Sequence, residues 1–173
     1  MEDAPFGANR VTVFRKTVTE TDMVLFSGIT GDFASNHTDE EYMQRSPYGT
    51  RHVHGALIVG FMSAVAGKAL EGARPEGLTP VSLGYDRIRF VKSVFPGQTL
   101  SLRHEFETYD ADENRATAKV EASVHGELVA VAQHVVKWVR EIACEARDER
   151  PAAQVTSGCR GSAESLGRFP PER

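Results

Sequence analysis

The chain has 173 residues and a mass of 19.0 kDa, which is enough for one domain and a short additional segment. Hydrophobic residues make up 40%, and 20 basic against 24 acidic residues give a formal net charge of −4, so the basic face used in nucleic-acid binding is not expected. No apolar run approaches the roughly 20 residues of a membrane helix, and the first residues lack the features of a secretory signal. These properties predict a soluble, cytoplasmic protein with neither a nucleic-acid nor a membrane partner.

The N-terminal third combines a strand, a helix and a long irregular stretch. β-Branched and aromatic residues predict a strand over 11–18. A threonine cap predicts a short helix after it, which Gly28 and Gly31 interrupt. Residues 32–53 are polar and offer one further helical segment, roughly 38–45. Such a long irregular stretch inside a compact domain is more often functional than idle.

A single apolar helix and four strands are predicted next. The segment from His54 to Gly72 is apolar on almost every side and rich in Gly and Ala, which predicts a helix buried all round. Alternation with period two follows in four segments, at 79–91, 98–110, 114–125 and 128–140. Together they predict an α+β fold, in which an antiparallel sheet curls around a long central apolar helix.

The composition changes near the C-terminus. Residues 144–173 mix charges, prolines and glycines with few large apolar groups. Such a segment buries too little surface to offset its ordering entropy. We therefore predict one domain over 1–143 and a mobile tail over 144–173, with a docking segment as the alternative for the tail.

Carboxylates and imidazoles gather in the irregular stretch. Asp32 and His37 are five residues apart, a separation that does not align two side chains on a straight helix. It suits a bend at which both point inward at one water, and such a pair is a plausible general acid and base. The alternative is that Asp32 caps the next helix and His37 is a surface turn residue.

The same stretch raises a metal site as a second hypothesis. Asp32, His37, His52 and His54 are possible ligands, and the His-x-His spacing at 52–54 is compatible with zinc. No second motif of ligand spacing accompanies it, so we predict no metal.

Gly55 opens the apolar helix. The unpaired N–H groups and the positive dipole end of a helix N-terminus can hold an oxyanion or a polarised carbonyl. The alternative is that glycine only permits close packing there. The other histidines, His104, His125 and His134, lie in strand-like segments and are expected at the surface or an interface.

These motifs resemble the MaoC-like hydratases, the (R)-specific enoyl-CoA hydratase group with a hot-dog fold. The resemblance covers roughly residues 10–140, with Ala34 and Ser35 in place of the family's Asn-Pro. The runs that carry it are Phe26-Ser-Gly-Ile-Thr-Gly-Asp-Phe-Ala-Ser-Asn-His37, Pro47-Tyr-Gly49, Val53-His-Gly55 and Arg89-Phe-Val-Lys-Ser-Val-Phe-Pro-Gly97.

The resemblance implies a site and a reaction. Asp32 and His37 match the pair that activates water, Gly55 matches the N–H that polarises the thioester carbonyl, and Ser63 matches a serine that supports the site from behind. The implied reaction interconverts a trans-2-enoyl thioester and an (R)-3-hydroxyacyl thioester, carried on CoA or an acyl-carrier protein. It needs no metal or redox cofactor, and a homodimer is expected.

Two other functions remain as alternatives. A hot-dog acyl-CoA thioesterase normally needs a carboxylate on or beside the central helix, which is apolar here until Lys68 and Glu71. A non-catalytic acyl-thioester-binding subunit is the second alternative, and the presence of both Asp32 and His37 argues against it.

Overall fold

The computed structural model describes residues 4–7 and 10–142. The predicted tail over 144–173 lies outside the described residues, and so does the predicted domain boundary at 143. The elements in chain order are β1 (Val11–Thr17), α1 (Glu20–Thr30), α2 (Ser35–Thr38), α3 (Glu40–Gln44), α4 (Gly55–Glu71), β2 (Leu78–Phe90), β3 (Thr99–Asp110), β4 (Arg115–Val124) and β5 (Glu127–Arg140).

The five strands form one antiparallel sheet in the order β1-β3-β4-β5-β2. The strand bounds agree with the predicted segments to within one residue at each end, because period-two alternation and the turn residues between segments fix them locally. Alternate positions of β3 and β4 are buried, so one face of the sheet carries the core. The predicted α+β architecture is confirmed.

Helix α4 packs on that face, chiefly against β1, β3 and β4. Ile58, Met62 and Val65 on the helix join Leu100 and Leu102 on β3 in the main core cluster. Burying a side chain of this size stabilises the fold by about 1.5–3 kcal/mol. The helix thus holds the sheet face together.

The prediction that α4 is buried all round is wrong for the single chain. One face is exposed and forms what we call the small-residue strip. Glycine and alanine side chains have little apolar area, so exposing them to water costs little free energy. In the sequence, an exposed face of such residues therefore looks the same as a buried one. The strip consists of Ala56, Gly60, Ser63, Ala64 and Gly67.

Helix α1 has a complete N-terminal cap. The Thr19 hydroxyl accepts from the Asp22 N–H, and the Asp22 carboxylate accepts from the Thr19 N–H, which satisfies two donors that the helix leaves free. The helix ends at Gly31, which adopts φ 78°. Gly28 lies inside the helix and does not interrupt it, contrary to prediction. Its cost of about 1 kcal/mol is offset by the cap.

The irregular stretch contains two short helices. The predicted helical segment near 38–45 is α3, whose N-cap Asp39 accepts from the Tyr42 N–H at 2.9 Å. Helix α2 just before it was not predicted. No helix among residues 4–7 and 10–142 is long and apolar enough to cross a bilayer.

Candidate active site

Three chain segments bring acidic and imidazole groups together. Asp32 follows the left-handed turn at Gly31, His37 lies in α2, and His54 is the N-cap residue of α4. One ligand atom from each of Asp32, His37 and His54 lies within 4.8 Å of the other two. The bend proposed for the segment from Asp32 to His37 therefore brings the two side chains together.

Two hydrogen bonds fix the tautomer of His37. Its Nδ1 lies 2.7 Å from the His52 carbonyl oxygen, and because a carbonyl only accepts, Nδ1 carries the proton. The other nitrogen, Nε2, lies 3.0 Å from Nδ2 of Asn36 and accepts from it. The tautomer assigned from this network leaves Nε2 as the basic nitrogen of His37.

Asn36 links two imidazoles. Its Nδ2 lies 3.0 Å from Nε2 of His37 and 3.0 Å from Nε2 of His52, so each amide hydrogen serves one ring. The backbone strengthens the link, since the His52 N–H donates to the Asn36 carbonyl at 3.2 Å. Burial first, and then the neighbouring His37 and His54, lower the pKa of His52. Both rings that Asn36 contacts are thereby favoured as neutral acceptors.

Sequence reasoning missed Asn36. A signal was available, because an amide side chain directly precedes His37. The family pattern has its asparagine two positions earlier, where this chain has Ala34. An amide is thus present in the bend, but from a different position.

His54 fixes the loop that carries Asp32. Its side chain is buried, and its Nε2 lies 3.2 Å from the Asp32 carbonyl oxygen and 3.2 Å from Oγ of Ser27. The ring stacks on His37 with centroids 3.8 Å apart. Burial lowers the pKa of His54. A neutral His54 therefore donates to the Asp32 carbonyl and ties the start of α4 to this loop.

The arrangement favours a hydrogen-bonded site over a metal centre. Ring lone pairs lie in the ring plane, so the stacked rings of His37 and His54, 27° apart, do not direct their nitrogens at one point between them. His37 Nδ1 and His54 Nε2 are also engaged with carbonyl oxygens. A metal bound through His37 Nδ1 or His54 Nε2 would disrupt one of these contacts.

Asp32 retains free acceptor capacity. Oδ1 accepts from the Ala34 N–H at 3.3 Å. The N-cap residue of α2 is Ala34 and no side chain caps this helix, so the capping alternative for Asp32 is wrong. A carboxylate accepts about four hydrogen bonds through two oxygens, and the Asp32 side chain is exposed. The Ala34 contact therefore leaves acceptor sites on Asp32 for a water.

Gly55 lies beneath an aromatic ring. A Cβ atom at this position would lie 2.6 Å from Cε2 of Phe90, so the close-packing interpretation applies. The N–H of Gly55 is also in the first turn of α4, where N–H groups have no partner inside the helix. Phe90 itself is 53% exposed and was not predicted as a site residue. It forms one wall at the N-terminus of α4.

A small cleft lies beside His37. Its volume is about 120 Å³, below the roughly 300 Å³ at which small-molecule sites begin. An acyl thioester therefore needs surface beyond this cleft. Its lining is Met23, Val24, Ser27, Phe33, His37, Thr38 and Arg51.

Ser63 lies further along α4. It is eight residues after Gly55, roughly 12 Å along the helix axis at 1.5 Å per residue, and it belongs to the exposed small-residue strip. Burial raises the pKa of Tyr85 on β2, and the neighbouring Ser63 hydroxyl opposes part of this rise.

Two histidines expected at the surface are buried instead. His104 and His134 are both 0% exposed, whereas His125 is exposed in the turn before β5. The prediction for His104 and His134 is wrong, because the position of a residue in the period-two pattern of its strand, and not its polarity, sets the face of the sheet on which it lies. His104 falls in phase with the buried Leu102 and Phe106, and this period-two signal identifies an inward position.

The family assignment follows from comparison with known proteins. A family model described as "MaoC like domain" matches residues 3–129, which is most of the chain. The protein belongs to the MaoC-like family, as its motifs predict.

Individual relatives agree with this assignment. A 3-hydroxybutyryl-CoA dehydratase of Methylorubrum extorquens is 30% identical over 136 residues, 79% of this chain and 82% of that protein. An (R)-specific enoyl-CoA hydratase of Rhodospirillum rubrum is 44% identical over 57 residues, 33% of this chain and 40% of that protein. The solved (R)-hydratase of A. caviae is 23% identical with a TM-score of 0.66, covering 74% of this chain and 93% of its own. The hot-dog fold is confirmed.

Proposed function

We propose that this protein is a hydratase or dehydratase that interconverts a trans-2-enoyl thioester and an (R)-3-hydroxyacyl thioester. One observation carries the proposal. The Asp32 carboxylate and the His37 imidazole converge within a MaoC-like chain, close in the chain to the start of α4 at Gly55. Relatives named as a dehydratase and a hydratase favour this reaction over thioester hydrolysis or simple binding.

The residues divide the chemistry as follows. Asp32 and His37 bind one water, and Nε2 of His37 is its basic partner once the water shares or replaces the Asn36 contact. The water oxygen bonds to the β-carbon while its proton passes to the pair. The α-carbon then takes up a proton, so the net change is addition of one water, and dehydration is the reverse. The Gly55 N–H stabilises the enolate oxygen that develops in between.

The proposed reaction requires no metal or redox cofactor, since proton transfer and one oxyanion contact suffice. We also propose that the acyl carrier is CoA or an acyl-carrier protein and that the reaction is part of fatty acid metabolism. A cytoplasmic location remains a prediction of the sequence.

A homodimer is part of the proposal. The cleft beside His37 is too small for an acyl thioester, and the small-residue strip of α4 is exposed in the single chain. A second copy that covers the strip would enlarge the cleft into a site and remove apolar surface from water.

Incubation of the full-length protein with crotonyl-CoA tests the function. We expect the enoyl-thioester absorbance to fall without release of free thiol. Thiol release would indicate a thioesterase. An unchanged absorbance across enoyl-CoA substrates of several chain lengths, with acyl-CoA still bound, would indicate the binding subunit.

A further inference from the structure

A chain of polar groups away from Asp32 and His37 runs from the buried His104 and His134 to the exposed Ser82. Nε2 of His104 on β3 lies 3.1 Å from Nδ1 of His134 on β5, and Nε2 of His134 lies 2.9 Å from Oγ of Ser82 on β2. On the intervening β4, the residue opposite His134 is the small Ala118, which leaves room for the imidazoles. Three strands thus contribute to one hydrogen-bonded row.

Tyr85 extends this row toward α4. Its ring stacks on His134, with centroids 4.8 Å apart and planes 21° apart. Its hydroxyl is buried without a hydrogen-bond partner among the described residues, although the Ser63 hydroxyl is close beside it. We call Ser63, Ser82, Tyr85, His104 and His134 the polar cluster.

The fold alone does not account for the polar cluster. Buried polar groups without partners destabilise a protein, and here both the Tyr85 hydroxyl and Nδ1 of His104 lack one. The neighbouring inward positions carry aliphatic or aromatic groups such as Leu102, Phe106 and Val136, so apolar side chains would fit this face. The proposed hydration chemistry does not use the cluster either.

The electrostatics of the cluster select an uncharged ligand group. Burial lowers the pKa of His104 and of His134 to about 4, so both rings are neutral at pH 7. No Lys, Arg, Asp or Glu side chain contributes to the pKa shift of His134 or Tyr85. A carboxylate placed there would be a buried charge without a counter-ion, which is strongly unfavourable. A hydroxyl or carbonyl oxygen would instead find donors and acceptors.

The position of the cluster connects it to the proposed site. Ser63 is exposed and lies roughly 12 Å from Gly55 along α4. Ala56 and Gly60, which lie between them on the same strip, have no long side chains. An extended acyl chain whose thioester carbonyl is at Gly55 can therefore run along this strip toward Ser63, between α4 and the second copy of the proposed homodimer.

From this geometry, and resting on the proposed function, we propose that the substrate acyl chain carries an uncharged hydrogen-bonding group toward its distal end. The exposed Ser63 hydroxyl contacts this hydroxyl or carbonyl oxygen directly, and the buried Tyr85 hydroxyl beside it supports Ser63 in this contact. His134, held by His104 and Ser82, orients the Tyr85 ring from beneath.

Matched pairs of acyl-CoA compounds test the proposal. For each medium chain length, kcat/KM is measured for three 2-enoyl-CoA compounds: one with an unsubstituted chain, one with a terminal hydroxyl and one with a terminal carboxylate. Equilibrium binding of the corresponding saturated acyl-CoA compounds is measured in parallel. At the chain length that reaches the cluster we expect the hydroxyl compound to be favoured about tenfold, as one net hydrogen bond predicts, and the carboxylate not to be favoured.

A tyrosine variant locates the effect. Tyr85→Phe keeps the ring and should abolish the preference for the hydroxyl compound. The matched control is Tyr109→Phe, whose hydroxyl donates to Oδ1 of Asn114 at 2.8 Å in a different part of the sheet, and it should keep both rates and the preference.

The outcomes separate this proposal from the proposed function. A preference for the unsubstituted chain at every length, or a preference that survives Tyr85→Phe, overturns the polar site even if crotonyl-CoA is hydrated. If no enoyl-CoA is hydrated, the proposed function is wrong. The polar site is then tested by binding alone: the saturated hydroxyl compound should bind more tightly than the unsubstituted one, and Tyr85→Phe should abolish this difference.

Discussion

At the scale of single residues, two neighbours of His37 decide which of its ring nitrogens carries the proton. The His52 carbonyl fixes the proton on Nδ1, and the Asn36 amide occupies Nε2. The neighbours of His37 therefore prepare it to act as a base toward water.

Asp32 and His37 should behave as one unit. Removal of either group, by Asp32→Asn or His37→Ala, should lower kcat/KM about 10²-fold or more. The double variant should lose little beyond that, because groups that act together are not additive. Steady-state hydration of crotonyl-CoA provides the measurement. Near-normal rates in both single variants would contradict the proposed mechanism and favour the binding subunit.

Asn36 should affect the pH dependence and the rate. In Asn36→Asp a carboxylate replaces the amide donor, which favours a proton on Nε2 of His37 and raises the pKa of His52. Because the base must be unprotonated, the acidic limb of the kcat profile should move to higher pH. Asn114→Asp is the matched control, since it makes the same exchange in a turn with φ 50° that either residue adopts. An unshifted profile in Asn36→Asp would show that the amide does not act on His37.

At the scale of the elements, the residues of the proposed site lie at the ends of helices and strands. The turn at Gly31 ends α1 and directs Asp32 back toward α2, and the start of α4 presents Gly55. Phe90, the last residue of β2, closes over that start. Each element places one functional group at its end, and at the start of α4 the backbone N–H groups have no partner within the helix.

Enlarging Gly55 should reduce activity without unfolding the protein. In Gly55→Val the side chain must displace the Phe90 ring, which is half exposed and free to move, so we expect a normal circular dichroism spectrum. Turnover should fall sharply, because the side chain and the displaced ring enter the thioester position. Gly28→Ala is the control, since a Cβ there has open space, and it should keep turnover and gain a few tenths to about 1 kcal/mol of stability. Wild-type turnover in Gly55→Val would exclude the oxyanion assignment.

At the scale of the whole molecule, the buried pair His104 and His134 interrupts the apolar core of the sheet. The main cluster around Met62 and Leu102 and the second cluster around Phe106 and Trp138 lie on the same sheet, and His104 lies between Leu102 and Phe106 on β3. Folding must keep both imidazoles neutral, which ties global stability to pH.

Stability should therefore fall as the solution becomes acidic. The pKa of His104 and His134 falls from 6.5 to about 4 on folding, so the unfolded chain binds more protons between these values. The stabilising contribution is complete above pH 6.5 and is lost as the pH falls toward 4, by up to about 3 kcal/mol per group.

Denaturant titrations between pH 7 and 4 give the measurement. His134→Gln should reduce the slope of unfolding free energy against pH, and His125→Gln, at an exposed histidine, should leave it unchanged. Equal slopes in all three proteins would show that the buried pair does not titrate in this window.

The sequence by itself determined the elements, the family and the pair at the centre of the proposed site. Strand bounds follow from local alternation and turns, and the motif from Phe26 to His37 is contiguous, so no distant contact is needed to find either. Tertiary structure decided the rest. Asn36 gained its role only when the loop brought His52 beside it, Phe90 reached Gly55 from a distant strand, and His104 met His134 across β4. These contacts join residues far apart in the chain, and whether a polar side chain is paired, buried or free depends on neighbours that local pattern does not specify.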